Sequence, residues 1–362
     1  MGYFVTGATG FIGRHLVELL LEREGTVYVL VREGSRGRLE ELINRWGADE
    51  GRIVPVVGDL SQRRLGVDEA VADELVGEID HFFHLAAIYD MQADAESQRV
   101  ANVEGTRHAV QLAERVDAGC FHMVSSIAAA GLYKGTWRED MFEEAVALDT
   151  HPYFQSKHES ERVVRRECER PWRVYRPGIV VGHSETGEMD KVDGPYYFFK
   201  LIRRIRQAFP TWAPMPGVTG REINIVPVDF VTKAMDHIAH EPGLDGRAFS
   251  LTDPNPLSAG EVIDTFAKAA HAPEATVKAP PEMTEPLEPI LGLALSATPF
   301  ANTIADAVLA DFGIPRQVLV YLHYPTHFDS RNTQAALEGS GISVPPLPSY
   351  ADKLWDLSLI HI

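Results

Sequence analysis

The stretch Thr6-Gly7-Ala8-Thr9-Gly10-Phe11-Ile12-Gly13 limits what this chain can fold into more than any other feature. It follows a short apolar run at residues 3–6. It opens a segment with apolar residues at helical spacing: Ile12, Leu16, Leu19 and Leu20. A strand that passes through three spaced glycines into a helix has a narrow use. The first glycine permits a tight turn, and the second lets backbone approach a pyrophosphate. The third allows close helix–strand packing, and the helix N-terminus presents free N–H groups to phosphate. Gly7, Gly10 and Gly13 stand at these three places, with Thr9, Phe11 and Ile12 among them. The expectation is a dinucleotide site built from these six residues.

The rest of the first half supports that frame. Residues 27–31, 53–57, 81–87 and 121–124 read as buried strands, and another begins at 173–175. Residues 95–116 and 153–169 read as helices. Short apolar strands alternating with helices give right-handed βαβ units and a parallel sheet. The expected fold class is α/β, a doubly wound parallel sheet of Rossmann type with a smaller C-terminal lobe. Its core spans residues 1–182, and residues 223–240 return to it through a strand at 223–228. Residues 183–356 form mainly a substrate-binding lobe, irregular where prolines cluster from Pro254 onward.

Charge and cysteine usage exclude several classes. With 52 acidic against 34 basic residues the net charge is -18, which repels nucleic acid. Cys120 and Cys168 are the two cysteines, too few for a disulfide framework. The 14 histidines lack metal spacing, so no metal is expected. No run of about 18 apolar residues spans a membrane; residues 289–310 come nearest, broken by Pro299, Asn302 and Asp306. The first residues run straight into a strand, leaving no room for a signal peptide, and a reducing cytoplasm fits. Nothing in the pattern selects an oligomeric state; a homo-oligomer is compatible with it.

The second strand ends at Arg32, where NAD-specific folds place an acidic residue. Arg32, with Arg36 and Arg38 following, suits the 2′-phosphate of NADP, and the expected cofactor is NADPH. Asp59 and Leu60 follow the third strand, where Asp59 is placed to accept from an adenine amino group. Leu85, Ala86 and Ala87 end the fourth, leaving room for a cofactor beside the sheet.

Tyr153 and Lys157 lie four apart, on one helical face. An ammonium beside a phenol favours phenolate and lowers its pKa from about 10 toward the working range. Tyr153 is then a general acid for a carbonyl oxygen, and Lys157 also reaches nicotinamide ribose hydroxyls. Ser125 and Ser126 close the fifth strand, where a serine holds the same oxygen. Ser126 is the favoured residue, with Ser125 as the alternative beside the cofactor.

The order TGATGFIG, HLAA, Asn102-Val103-Glu104-Gly105-Thr106, VSS, YFQSK and Tyr175-Arg176-Pro177-Gly178 resembles the extended short-chain dehydrogenases/reductases. The likeness covers most of residues 1–235. It implies that Asn102 supports the active-site proton or water network, and that the segment Arg176-Pro177-Gly178 packs by the nicotinamide. Four longer stretches, at 84–91, 124–132, 182–200 and 223–230, closely resemble the N-terminal reductase domain of two-domain bacterial fatty acyl-CoA reductases. That domain is related to the alcohol-forming fatty acyl reductases of plants and animals. The likeness covers nearly the whole chain and is weaker from 255 to 320. It implies NADPH-dependent reduction of a long-chain fatty aldehyde to the alcohol, and of fatty acyl-CoA. The second, C-terminal reductase domain of those proteins is absent here. Two other activities fit the same superfamily, a nucleotide-sugar epimerase or dehydratase and a hydroxysteroid-type dehydrogenase. A non-catalytic NADP sensor is a third alternative.

The segment 196–212 offers an apolar slot for a chain, with Tyr196, Tyr197, Phe198, Phe199, Ile202, Phe209 and Trp212. It also carries Lys200, Arg203, Arg204 and Arg206, the densest basic cluster in an acidic chain. Such a cluster suits the phosphates of CoA, an acidic carrier protein or an anionic membrane surface. The last six residues, 357–362, resemble a translated sequencing-adapter end, so the native chain is expected to continue differently there.

Overall fold

Seven strands form one sheet: β1 (Gly2–Thr6), β2 (Thr26–Val31), β3 (Ile53–Val57), β4 (His81–His84), β5 (Cys120–Val124), β6 (Trp172–Pro177) and β7 (Arg247–Leu251). The computed structural model describes residues 1–49, 51–87, 94–190, 196–213, 215–216, 220–277 and 324–358. The strand order is β7-β6-β5-β4-β1-β2-β3, parallel throughout. Parallel sheets are covered on both faces, so their strands read as apolar runs rather than alternations. Every residue of β1 and of β5 is buried. The order reverses between β1 and β4. Open α/β sheets bind ligands at such a switch point, outside the strand C-termini.

The longer helices of the first 180 residues are α1 (Phe11–Leu21), α2 (Arg36–Trp46), α3 (Gly105–Arg115) and α4 (Pro152–Glu167). On one sheet face Phe4, Phe82 and Phe121 pack with Ala109, Leu112 and Val164 of α3 and α4. Against α1 lies a later helix, α6 (Val228–His240), joined by a bidentate pair from Arg23 to Asp236 at 2.8 Å per bond. The chain divides into two compact units, the first being Met1–Val180, Val228–Pro254 and Thr326–Val344.

Three expectations are corrected. The strand read at 223–228 is not part of the large sheet. Glu222–Ile223 pairs antiparallel with Leu257–Ser258 inside the second unit. The seventh sheet strand is β7, whose Arg247 and Ser250 interrupt the apolar run that would have announced it. The single helix expected at 95–116 is broken by a π-helical turn, Arg99–Glu104.

The third correction concerns Thr326–Val344, which belongs to the first unit rather than to the lobe. Thr326–Phe328 pairs with Gly135–Trp137. The Glu139 carboxylate, 2% exposed, accepts from the N–H groups of Ser250, Asn332 and Thr333 and from the Thr333 hydroxyl. Burial raises its pKa, and these donors oppose that rise.

The second unit holds α5 (Tyr197–Ala208), α7 (Ala259–Ala269) and α8 (Ala351–Ser358). Phe199 packs on Phe266 and Trp355 with centroids 4.8 and 5.1 Å apart. The Tyr196 hydroxyl accepts from the Gly182 N–H at 2.7 Å. Tyr196, Phe199 and Ile202 are therefore core of this unit, whereas Trp212 is 80% exposed. Leu357 and Ser358 of the terminal hexapeptide close α8, with Ser358 buried. Residues 88–91, 191–195 and 359–362 of the sequence readings lie outside the described residues, as does the proline-rich region from 278 to 323.

Candidate active site

Gly7 adopts φ +75°, and a Cβ there would stand 2.7 Å from the Ala86 amide nitrogen. A Cβ on Gly13 would stand 2.1 Å from the Gly7 carbonyl oxygen. Only hydrogen fits at either: at Gly7 because the backbone leaving β4 passes against it, and at Gly13 because the first turn of α1 lies directly on the glycine turn. Gly10 differs. It is exposed with ordinary backbone angles, and a Cβ on it meets only the Gly7 carbonyl, at 3.2 Å. A side chain at Gly10, the N-cap of α1, would project into open space at the start of that helix. Thr9, Phe11 and Ile12 are half-buried around this turn. The cradle fits a pyrophosphate.

Arg32 is exposed at the end of β2; Arg36, first residue of α2, pairs loosely with Glu33 at 3.4 Å. Asp59 Oδ1 accepts from the Ser61 N–H at 2.8 Å and the Ser61 hydroxyl at 2.7 Å, which lowers its pKa. Its Oδ2 has no hydrogen-bond partner among the described residues. The Leu60 carbonyl accepts from His108 Nδ1 at 2.8 Å. Leu85, Ala86 and Ala87 are half-buried beyond β4. Pro177 is buried, and the Gly178 N–H donates to the Leu251 carbonyl at 3.1 Å.

Helix α4 starts where the chemistry needs it. The His151 ring caps it by accepting from the Tyr153 N–H at 3.1 Å, and Pro152 sets the first turn. Tyr153, Lys157 and Glu161 then recur every fourth residue along one stripe. The Lys157 ammonium lies 6.0 Å from the centre of the Tyr153 ring. Lys157 is only 5% exposed, and burial lowers its pKa to about 8. No side chain or carbonyl among the described residues accepts a hydrogen bond from its ammonium. A buried cation without acceptors is costly, so a ligand that brings hydroxyls there is favoured.

The two serines part company. The Ser125 hydroxyl donates to Glu161 Oε2 at 3.0 Å. Ser126 caps the short turn Ile127–Ala130, its Oγ accepting from the Ala128 N–H at 3.1 Å, so its own proton stays available. Glu161 is itself clamped by Arg176, through bonds of 3.1 and 2.6 Å, and by Arg165 at 2.8 Å. Burial alone would raise the Glu161 pKa; the two guanidinium groups outweigh it and hold it at about 2. Asn102, 1% exposed, donates from Nδ2 to the Ser156 hydroxyl at 3.0 Å. Ser156 lies between Tyr153 and Lys157 in sequence.

Sequence reasoning missed Glu161; it named Arg176 as part of a segment beside the nicotinamide, whereas the Arg176 guanidinium is 1% exposed and turned onto Glu161. The signal was present: Glu161 continues the four-residue spacing of Tyr153 and Lys157. Among the described residues no three His, Cys, Asp or Glu side chains gather as metal ligands. No helix among them is long and apolar enough to cross a membrane.

A glycine turn at the switch point of a parallel sheet, with Ser126 after a strand of that sheet and Tyr153 and Lys157 on helix α4, defines an NAD(P)-dependent reductase of the extended short-chain dehydrogenase/reductase kind. Residues 5–235 match the family model described as male sterility protein, and the chain belongs to that family. It is 31% identical over 274 residues to a linear gramicidin synthase of Brevibacillus parabrevis, covering 72% of this chain and 5% of that protein. It is 30% identical over 323 residues to aldehyde reductase lnbA of Aspergillus flavus, covering 80% of this chain and 31% of the relative. The chain thus spans a third or less of the length of these curated relatives. Among solved structures it is similar to the terminal R domain of the myxalamid PKS-NRPS pathway. There the identity is 29% and the TM-score 0.78, covering 99% of this chain and 90% of that one. These likenesses reach the reductase class and stop short of the bacterial fatty acyl-CoA reductases in particular.

Proposed function

We propose that this chain reduces the carbonyl of an acyl thioester or aldehyde with NADPH. The observation that carries this reading is the buried Lys157 ammonium, without an acceptor among the described residues, one helical turn from Tyr153. When bound, NADPH supplies the hydride. Gly7, Gly10 and Gly13 admit its pyrophosphate, with Thr9, Phe11 and Ile12 around it. Arg32, helped by Arg36, takes the 2′-phosphate, and Asp59 Oδ2 the adenine amino group. Leu60, Leu85, Ala86, Ala87, Ser125, Pro177 and Gly178 border the cofactor.

The substrate oxygen accepts from the hydroxyls of Ser126 and Tyr153, and Tyr153 gives its proton to it; a thioester so reduced becomes a hemithioacetal, which gives the aldehyde by loss of its thiol. Lys157 donates to ribose hydroxyls and stabilises the phenolate left on Tyr153. Asn102 supports α4 through Ser156. Of the two serines Ser126 is the one to orient substrate, since the Ser125 hydroxyl is committed to Glu161. The fatty aldehyde and fatty acyl-CoA expected from sequence belong to this reading as its apolar substrates. Relatives named as a linear gramicidin synthase and an aldehyde reductase broaden it to other acyl groups.

The test is NADPH oxidation by the purified chain with decanal, a long-chain acyl-CoA and a carrier-bound acyl thioester. Turnover with none of them, while NADPH still binds, overturns the reading in favour of a sensor.

A further inference from the structure

Thr6, His84, Thr106 and Asn102 form a hydrogen-bonded chain, and all four are at least 97% buried. The direction of that chain follows from its ends. The Thr106 hydroxyl donates to the Asn102 carbonyl at 2.6 Å, since a carbonyl only accepts. The Thr106 proton being used there, His84 Nε2, 3.1 Å from Thr106 Oγ1, has to be the donor. A neutral imidazole protonated on Nε2 leaves Nδ1 bare. Nδ1 therefore accepts from the Thr6 hydroxyl at 2.9 Å. Thr6 Oγ1 in turn accepts from the Ala86 N–H at 3.2 Å. A backbone N–H at one end and a carbonyl at the other leave a single orientation and one tautomer.

Each member sits where a shift would matter. Thr6 immediately precedes Gly7. Ala86 is the residue whose amide limits Gly7 to hydrogen. Asn102 lies in the π-helical turn, and such turns recur at functional sites. Beyond Asn102 the path continues through Ser156, whose hydroxyl points to Gln98 Oε1 and to the Tyr153 carbonyl, each at 3.2 Å. The glycine turn and the Tyr153–Lys157 helix are thus joined through Asn102, whose backbone carbonyl ends the chain from Thr6 and whose side chain begins the link to Ser156. The imidazole is the only ring in that chain with acceptor and donor on opposite sides.

We propose that His84 is a positioning residue. As the Nε2-protonated imidazole bridging Thr6 to Thr106, it fixes the distance between the cofactor turn and the helix that carries Tyr153 and Lys157. This rests on the reductase reading above. The ring stays neutral throughout, because burial and then the charge of Lys157 press its pKa down to about 3.

The experiment measures kcat, KM, NADPH affinity and melting temperature for wild type, His84→Phe, His84→Gln and Thr106→Val. Phenylalanine keeps the ring and loses both bonds. Glutamine places an amide N–H where Nε2–H stood. Small misplacement of reacting groups costs about 10- to 100-fold, and that fall in kcat is expected for His84→Phe, with NADPH affinity little changed. Glutamine should restore most of it, and Thr106→Val, which keeps the histidine, should fall as His84→Phe does. Unchanged kcat in both His84→Phe and Thr106→Val overturns the proposal. So does a loss that tracks only the folded fraction, with glutamine no better than phenylalanine. A wild type without NADPH-dependent turnover overturns the underlying function, and the positioning role with it.

Discussion

Strand β4 delivers one histidine to each end of the sheet. At the C-terminal end His84 faces Thr6 and Thr106, next to a glycine turn, a lysine and a serine with uncommitted donors. At the N-terminal end His81 meets other rings. Its Nδ1 lies 3.0 Å from His122 Nε2, whose Nδ1 lies 3.0 Å from the Tyr175 hydroxyl. The Tyr3 hydroxyl lies 3.1 Å from His240 Nε2, and the His81 and His240 rings are 4.7 Å apart. Arg173 completes this end by donating to the Ile238 and Ala239 carbonyls and pairing with Asp245. The lower cluster closes on itself. The upper end leaves Lys157, Ser126 and Asp59 with capacity that no described residue uses. In this sheet it is open bonding capacity, rather than buried titratable groups as such, that separates the reactive end from the structural one.

The sharpest way to break that contrast is Tyr153→Phe. Loss of a positioned general acid costs about 10²–10⁴-fold in turnover, with melting temperature and NADPH binding retained. A large fall in melting temperature would show that the upper end is also structural. Glu161→Gln probes the join between reactive and structural groups. Its carboxylate holds Arg176, Arg165 and Ser125, and breaking a buried pair destabilises by about 3–5 kcal/mol. Denaturant unfolding should show that loss, and a variant as stable as wild type would mean the clamp contributes nothing.

The lower cluster predicts acid lability. Burial, then His240, pushes the His81 pKa from 6.5 down to about 4, and burial holds His122 well below its ordinary value too. The unfolded chain then binds the extra protons, so stability is complete above about pH 6.5 and declines as pH falls through about 4. A single such group accounts for up to about 3 kcal/mol. Melting curves between these pH values should slope less steeply for His81→Phe than for wild type. Equal slopes would refute the cluster as the acid-sensitive element. At the cofactor rim, Arg32→Ala should weaken NADPH about tenfold, the worth of a charge-assisted bond, and leave NADH unchanged. Equal effects on both nucleotides would remove Arg32 from the 2′-phosphate.

What the sequence disclosed follows the same division. Strands β1 and β5 are buried along their whole length, and they, with the Val- and Ile-rich β2 and β3, were legible as short apolar runs. The glycine turn, Tyr153 and Lys157 were legible because their spacing is local. The edge strand β7 and the Thr326–Val344 segment were not. Their place depends on Glu139 meeting amides 111 and 194 residues away. The π-helical turn turns on one residue of register, which hydrophobic periodicity does not resolve. The bonds joining Ser125, Glu161 and Arg176, and the path from Thr6 to Asn102, join residues far apart in the chain, so no spacing announces them. In α5 periodicity gave the buried stripe but not its partners, and aromatics that suited a substrate slot pack on Phe266 and Trp355.

The same helix supplies the smallest effect. Lys200, Arg203 and Arg206 are exposed and make no ion pair among the described residues. Most arginines of the first unit are paired, as Arg23, Arg107, Arg165, Arg173 and Arg176 are. Open capacity on α5 therefore parallels that at the upper end of the sheet, now for cations facing water. If it serves the phosphates of a thioester carrier, Arg203→Glu with Arg206→Glu should raise KM for an acyl-CoA about two- to fivefold, since each exposed charge contributes under about 1 kcal/mol. High salt should shrink the difference. A short free aldehyde has no phosphate, and its KM should stay where it was. Equal shifts for both substrates would make this face a solvated one and confine the rule of open capacity to the first unit.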